Sequence, residues 1–352
     1  MENLWVHISA LRNRPTLVAG SHFGTGDTFV DMPTAVREIL QGMQLLADGD
    51  RPVARLLRRS EWSEIFQVQL AWGTICLKRS LGTKEDASLR DRSQHEYRWL
   101  RVARAVIGEA VPEPLAEYDG CIAIDCLDPD SHPSWLTQLR DGDASPSTAA
   151  EIGRLIGRLH AGSANNFAVA EDFDTGSVFD RRRLQPLLLA VSGTALQERV
   201  HPLIDMLVGN RVALIHGEFV PDNILIGRDG PVFVDADCAK YGDPAFDLAC
   251  CLTPLLLLSR ARPQSLDHYL TCFDAMCAAY LQRVNWEAPE ALEQRAAALV
   301  PLLLLASLAE YEPIALPHGT RDRDLVLAYA RNLLNNPLIR LAAVRESWRR
   351  SF

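Results

Sequence analysis

Residues 215–225 read IHGEFVPDNIL, and residues 232–249 read VFVDADCAKYGDPAFDLA. Each stretch sets acidic and amide side chains between short apolar runs. The wider segment RVALIHGEFVPDNILIGRDGPVFVDAD predicts strand, loop, strand, Asp-Gly turn and strand. A hairpin through GRDG would bring Asn223, before ILIG, beside Asp235, at the end of PVFV. Few oxygen ligands, open to a polyphosphate, suit Mg²⁺. Asp237 is the third candidate ligand. An Asx turn followed by two strand-end acids would give the same letters.

Glu218 lies five positions before Asn223 on the same loop. Its carboxylate would take a proton from a substrate hydroxyl, which is the arrangement phosphoryl transfer requires. The plain alternative is a solvated loop acid. His216 is the second catalytic candidate, expected to brace the loop by hydrogen bonding rather than to move a proton.

Working outward, residues 53–79 show short alternating runs separated by turn residues, predicting an antiparallel sheet of at least three strands. Residues 87–106 predict a charged helix with Leu89, Tyr97, Leu100 and Val102 on its apolar side, ended by VPEPL. AEYDG and CIAIDCL read as two further strands. Past residue 130 the pattern is mostly helical, with AAEIGRLIGRLHAGS the clearest helix. The expected organisation is a sheet-rich lobe over 51–127 and a helical lobe over 128–352. Residues 1–50 form an extension of open role; its helical stretch is TAVREILQGMQLLADG, and its Gly24–Gly26 segment lacks the strand and basic residue of a phosphate loop. Lys78 ends the buried strand TICL, and Glu96 on the next helix is its expected partner. The SEWSE loop, residues 60–64, holds no glycine, so Ser60, Ser63 and backbone N–H groups would make any phosphate contact.

The chain has 352 residues, 48% of them hydrophobic, and a formal net charge of −9. That length suits two lobes. Net acidity argues against general nucleic-acid binding. The eight cysteines form no CxxC pair and read as reduced, buried residues of a cytoplasmic protein. The N-terminus lacks the pattern of a signal peptide. The longest apolar stretches, LACCLTPLLLL and AAALVPLLLLASLA, fall short of the ~20 residues of a membrane span and contain proline, so buried helices are expected and no membrane partner.

Taken together, HGEFVPDN followed by VDAD and GDPAFDLA resembles the aminoglycoside phosphotransferase and choline kinase-like family, a branch of the protein-kinase fold. The resemblance runs over residues 53–340 and includes LKR, VPEPL, IDCLDP and IGRLIGRLH. It implies an α+β, bilobal, protein-kinase-like fold and an ATP- and Mg²⁺-dependent transfer of phosphate to a hydroxyl of a small molecule, such as an antibiotic, an amino-alcohol or a sugar. By position, Lys78 would bind the ATP phosphates and Glu96 would pair with it. Glu218 would be the base, and Asn223 and Asp235 would hold Mg²⁺, with Asp237 beside the metal or the substrate. Backbone groups of Asp125 to Leu127 would meet the adenine. Asp243 and Asp247 would cap and brace the loop and the next helix. Two departures stand out: Glu218 replaces the family's usual Asp, and the SEWSE loop has no glycine. They motivate an alternative, a pseudokinase-like binding protein acting through a partner. Candidate acceptor-binding acids are Glu310, Glu312, Asp322 and Asp324, which a solvated helix end would equally explain.

Overall fold

The structure, a computed structural model, describes residues 30–31, 34–47, 49–60, 63–81, 87–173, 177–310 and 319–352. Gly24–Gly26, the middle of the SEWSE loop and Glu312 lie outside the described residues.

The small lobe is built on one antiparallel sheet. Its strands are β1 (Val30–Asp31), β2 (Val53–Arg59), β3 (Ser63–Leu70), β4 (Gly73–Ser80), β5 (Pro114–Tyr118) and β6 (Cys121–Asp125), in the order β1-β2-β3-β4-β6-β5. Successive strand residues face opposite sides of a sheet. Ile75 and Leu77 therefore join one core with Val68 and Ala123, while Cys76 and Lys78 face the other way. Helix α1 (Thr34–Gly42) covers the first face and buries Val36 and Leu40 there. Residues 30–50, of open role in the sequence, thus supply an edge strand and a covering helix to this lobe.

Helix α2 (Ala87–Ile107) covers the second face. Its buried stripe runs through Arg92, Glu96, Trp99, Ala103 and Ile107, at spacings of three and four that keep residues on one side of a helix. The expected apolar side was only partly right: Leu100 is buried, but Trp99 carries more of the packing than Tyr97 or Val102.

The large lobe holds helices α3 (Trp135–Asp141), α4 (Pro146–Ser163), α5 (Phe167–Asp172), α6 (Gln185–Val191), α7 (Gln197–Gly209), α8 (Pro244–Ala261), α9 (Leu266–Leu281), α10 (Pro289–Glu310), α11 (Thr320–Asn335) and α12 (Leu341–Ser351). Helix α4 lies along α9, and Gly153 permits the approach: a Cβ there would stand 2.4 Å from the Met276 carbonyl oxygen. By length and composition α8 and α10 are apolar enough to cross a membrane, but 83% and 67% of the relevant stretches are buried inside the fold. Both helices run through their prolines, Pro254 and Pro301. An interior proline costs ~3 kcal/mol. Each buried Leu returns ~1.5–3 kcal/mol, and Leu255, Leu256, Leu257 and Leu258 follow Pro254 directly into the core.

Two short sheets carry the predicted hairpin. Strands β8 (Ile224–Gly227) and β9 (Gly230–Phe233) pair with Ile224 opposite Phe233, and the turn falls at Arg228 and Asp229. Strand β7 (Ala213–Ile215) pairs with β10 (Lys240–Gly242), a strand the sequence did not suggest. The result is a bilobal, protein-kinase-like arrangement.

Candidate active site

The hairpin does what its register demands. The Val234 N–H donates to the Asn223 carbonyl at 3.0 Å, which sets Asn223 beside the Asp235 backbone. Asp235 adopts φ of 68°, a left-handed conformation rare outside glycine. Its side chain stays 35% exposed, the most open acid of the cluster. The Asn223 amide nitrogen donates to the Glu218 carbonyl at 3.1 Å, and the side-chain oxygen of Asn223 is left to accept or coordinate.

Lys78, pointing from β4 to the α2 side, reaches Glu96 at 2.5 Å and also touches Asp235 in the other lobe. Burial works against its charge, but Asp235 and Glu96 prevail and hold the ammonium above its ordinary range. Burial pushes the Glu96 carboxyl up to about 7, with Lys78 opposing and Asp235 adding. Burial also opposes ionisation of Asp235, yet Lys78 keeps that carboxyl below the ordinary carboxylate range.

The loop before Asn223 is fixed by backbone bonds. Asp247, at the start of α8 and fully buried, accepts from the N–H groups of His216 at 2.7 Å and Gly217 at 2.9 Å. Gly217 has φ of 78°, and a Cβ there would stand 2.3 Å from the Cys238 carbonyl oxygen, so only glycine fits. His216 is fully buried. Its Nε2 bonds the Val234 carbonyl at 3.0 Å, and its Nδ1 accepts the Glu218 N–H at 3.2 Å. That assigns a neutral ring with the proton on Nε2, and burial pushes its pKa down accordingly. Both ring nitrogens being bound to backbone, His216 braces the loop. Asp243 caps α8 through the Ala245 N–H and pairs with Arg295 at 2.8 Å. Both acids brace, as expected.

Three arginines that the sequence reading missed complete the site. Arg92, from α2, contacts Asp237. Arg182 bonds both Asp237 oxygens at 2.7 Å and stands 3.5 Å from Glu218. Arg183 contacts the other Glu218 oxygen. Arg182 and Arg183 lie in a π-helical turn, Asp180–Leu184, of a kind that recurs at functional sites. The run Arg181–Arg182–Arg183 was the visible signal. Asp237, expected beside the metal or the substrate, is engaged on both oxygens by guanidinium groups. Burial opposes its ionisation, but Arg182, Lys78 and Arg92 hold it far below the ordinary carboxylate range. The ligand atoms of Glu218, Asp237 and Cys238 lie within 4.8 Å of one another, yet the arginines already neutralise that cluster. For Mg²⁺, a hard cation preferring oxygen, the fitting pair is Asp235 and Asn223.

One helix joins these parts. Arg92, Glu96 and Trp99 on the buried stripe of α2 meet Asp237, Lys78 and the His216 ring, the last at 5.0 Å between centroids.

The remaining candidates lie apart from this cluster. The Ser60 Oγ accepts the Ser63 N–H at 3.0 Å, closing the turn between β2 and β3. Asp125 ends β6 opposite Ile75, and its N–H donates to the Glu113 carbonyl at 3.0 Å. Leu127 lies two residues beyond it. The Cys76 thiol stands 3.1 Å from Cys126. Asp322, a candidate acceptor acid, is fully buried and paired with Arg260, so it braces α11 against α8. Asp324 is exposed on α11.

A family model described as the Phosphotransferase enzyme family matches residues 57–292. No curated protein matches the chain significantly. Among solved structures, one assigned as a fructosamine-3-kinase of Thermobifida fusca YX-ER1 is similar at 18% identity, covering 86% of this chain and 99% of that one, with a TM-score of 0.53. The choline kinase of Cryptosporidium parvum Iowa II follows at 13% identity, 89% and 98% coverage and a TM-score of 0.51. An amicoumacin kinase in complex with AMP-PNP and Ca²⁺ gives 11% identity, 82% and 89% coverage and a TM-score of 0.51. At such identities these likenesses carry the fold. The family match spans most of the chain, and the chain belongs to the phosphotransferase enzyme family as a kinase of small molecules.

Proposed function

We propose that this chain transfers the γ-phosphoryl group of ATP to a hydroxyl of a small molecule. The observation that carries the reading is the network Glu96–Lys78–Asp235, which spans both lobes and ends on an open, ionised carboxylate. Lys78 would bind the nucleotide phosphates, with Glu96 fixing its ammonium. Ser60, Ser63 and the backbone around the β2–β3 turn would cover the phosphates, and the backbone of Asp125 to Leu127 would meet the adenine. Asp235 and Asn223 would hold Mg²⁺, which when bound supplies positive charge to phosphate oxygens.

Glu218 would accept the hydrogen of the acceptor hydroxyl and orient its oxygen. As the new O–P bond forms and the bond to the β-phosphate oxygen breaks, the proton passes to Glu218 and then to water. In a loose transition state the proton leaves late, so a weak carboxylate base suffices and positioning contributes most. Glu is one methylene longer than Asp, and the Arg183 guanidinium contacts the end of this longer side chain. Solved relatives in fold include kinases of choline and amicoumacin, so an alcohol acceptor is in keeping with the fold.

The test is ADP release from Mg·ATP across a panel of sugars, hydroxy acids, amino-alcohols and antibiotics, with Asp235→Ala as the blank. Acceptor-dependent release by the wild-type chain alone supports the reading. Equal release by wild type and blank overturns it.

A further inference from the structure

A hydroxyl can be activated by Glu218 only within hydrogen-bond reach of its carboxylate, ~2.6–3.2 Å. The side chains already touching that carboxylate therefore line the place where the hydroxyl would stand. They are Arg182, Arg183 and the Cys238 thiol, whose sulfur is 3.8 Å from Glu218 Oε2. The approach to the base is thus lined by two guanidinium groups, and a third, Arg92, stands behind on Asp237. Among the described residues, three arginines gather round the two carboxylates Asp237 and Glu218.

A carboxylate oxygen accepts more than one hydrogen bond, so a hydroxyl can join Arg182 and Arg183 on Glu218 and would then stand beside both guanidinium groups. The Arg183 side chain is only 14% exposed, and its buried Nε has no hydrogen-bond partner, which is unfavourable. A neutral acceptor would give that N–H no charge-assisted partner. A cationic acceptor, such as an aminoglycoside, would add like-charge repulsion. An alcohol bearing its own anion would give the guanidinium a second acceptor beside Glu218, and its planar fork matches carboxylate and phosphate. The π-helical turn is the device that brings two successive arginines onto one carboxylate.

We propose that the acceptor of this kinase is anionic, an alcohol carrying a carboxylate or phosphate group close to the reacting hydroxyl, with that group bound by Arg182 and Arg183. The inference rests on Glu218 as the base of the proposed transfer.

The test uses the full chain saturated with Mg·AMP-PNP, so that the nucleotide site is filled. Malonate and inorganic phosphate are the anionic probes, glycerol and kanamycin the neutral and cationic ones, and binding is read as the shift in melting temperature with concentration. The expected result is stabilisation by malonate or phosphate alone. Malonate acting alone points to a carboxylate acceptor, and phosphate acting alone to a phosphorylated one. Probe affinity should fall about tenfold or more in Arg183→Leu, with partial recovery in Arg183→Lys. Arg182→Gln, at a more exposed position, gives a second variant should Arg183→Leu fold poorly. Stabilisation by kanamycin or glycerol but by neither anion overturns the inference, as does anion binding of equal strength in both arginine variants. Failure of Mg·AMP-PNP itself to stabilise the wild-type chain would instead defeat the kinase reading beneath it.

Discussion

Lys78 and Asp235 stand 157 positions apart in the chain and meet across the cleft between the lobes. On the proposed function, nucleotide and metal would both enter at this contact. Nucleotide phosphates would compete with Asp235 for the ammonium, and Mg²⁺ would compete with the ammonium for Asp235. Asp235→Asn keeps a residue that tolerates φ of 68° and removes only the charge. Lys78 retains Glu96, so the fold should hold, with little change in melting temperature. Acceptor-dependent ADP release should fall by roughly a thousandfold or more, in line with the loss of a large electrostatic contribution to the transition state. Activity within about tenfold of wild type would remove Asp235 from the metal role.

Glu218 offers a sharper separation. In Glu218→Gln the Cys238 and Arg182 neighbours remain and the side chain keeps its length, but no proton can be taken. Turnover should fall roughly 10²–10⁴-fold, the usual range for a lost general base. The Mg·ATP affinity, read by thermal shift, should stay within a few-fold, because Glu218 touches neither Lys78 nor Asn223 through its carboxylate. A change confined to nucleotide affinity would place Glu218 in binding instead.

Much of this site was legible in the sequence because its signals are local. Strand ends, a turn pair and an Asx residue are spaced within one stretch, and the register of β8 on β9 follows from them. Lys78 and Glu96 were legible for the same reason, one ending a buried strand and the other lying on the next helix. The arginines were not. Arg92 meets Asp237 over 145 positions, and Arg182 meets it over 55. On a charged helix or in an arginine run, such residues look like a solvated face, and only the tertiary fold turns them inward. Strand β10 escaped because three residues carry no period. Residues 30–50 were ambiguous because their apolar positions have meaning only against the sheet they cover.

The cysteines give an independent probe of the proposed adenine position. Seven of the eight are buried, and Cys126 alone is partly exposed. The Cys76 thiol donates to its sulfur, and this hydrogen bond, with burial opposing, holds the Cys126 pKa below the ordinary thiol value. Thiolate character and exposure both favour alkylation. Iodoacetamide at neutral pH should modify Cys126 first, as read by peptide mass spectrometry. Cys76→Ala should slow that reaction, and Mg·ATP should protect if the adenine lies on residues 125–127. First modification at any other cysteine would contradict the local geometry, and absence of protection would move the adenine elsewhere.

His216 predicts a pH dependence with a defined sign. Its ring is neutral and buried, and burial sets its pKa in the folded chain below the 6.5 of an exposed histidine. As pH falls through about 6.5, the unfolded chain takes up a proton at this position that the folded chain does not. Where the unfolded state binds more protons, stability declines with falling pH. Glu96, with a folded pKa of about 7, carries an opposite slope in the same range, so the total is not diagnostic. The comparison with His216→Phe is. Phenylalanine keeps the ring packing against Trp99 and Phe219 but leaves the Val234 carbonyl and the Glu218 N–H without a partner. The variant should be less stable at pH 8 by ~1–3 kcal/mol. It should also lack the proton uptake of the histidine on unfolding. The gap between the two proteins should therefore narrow as pH is lowered from about 7.5 to 5.5, followed by urea unfolding at each pH. A gap that widens on acidification would mean that His216 is protonated in the folded chain, and the tautomer on which the loop is braced would be wrong.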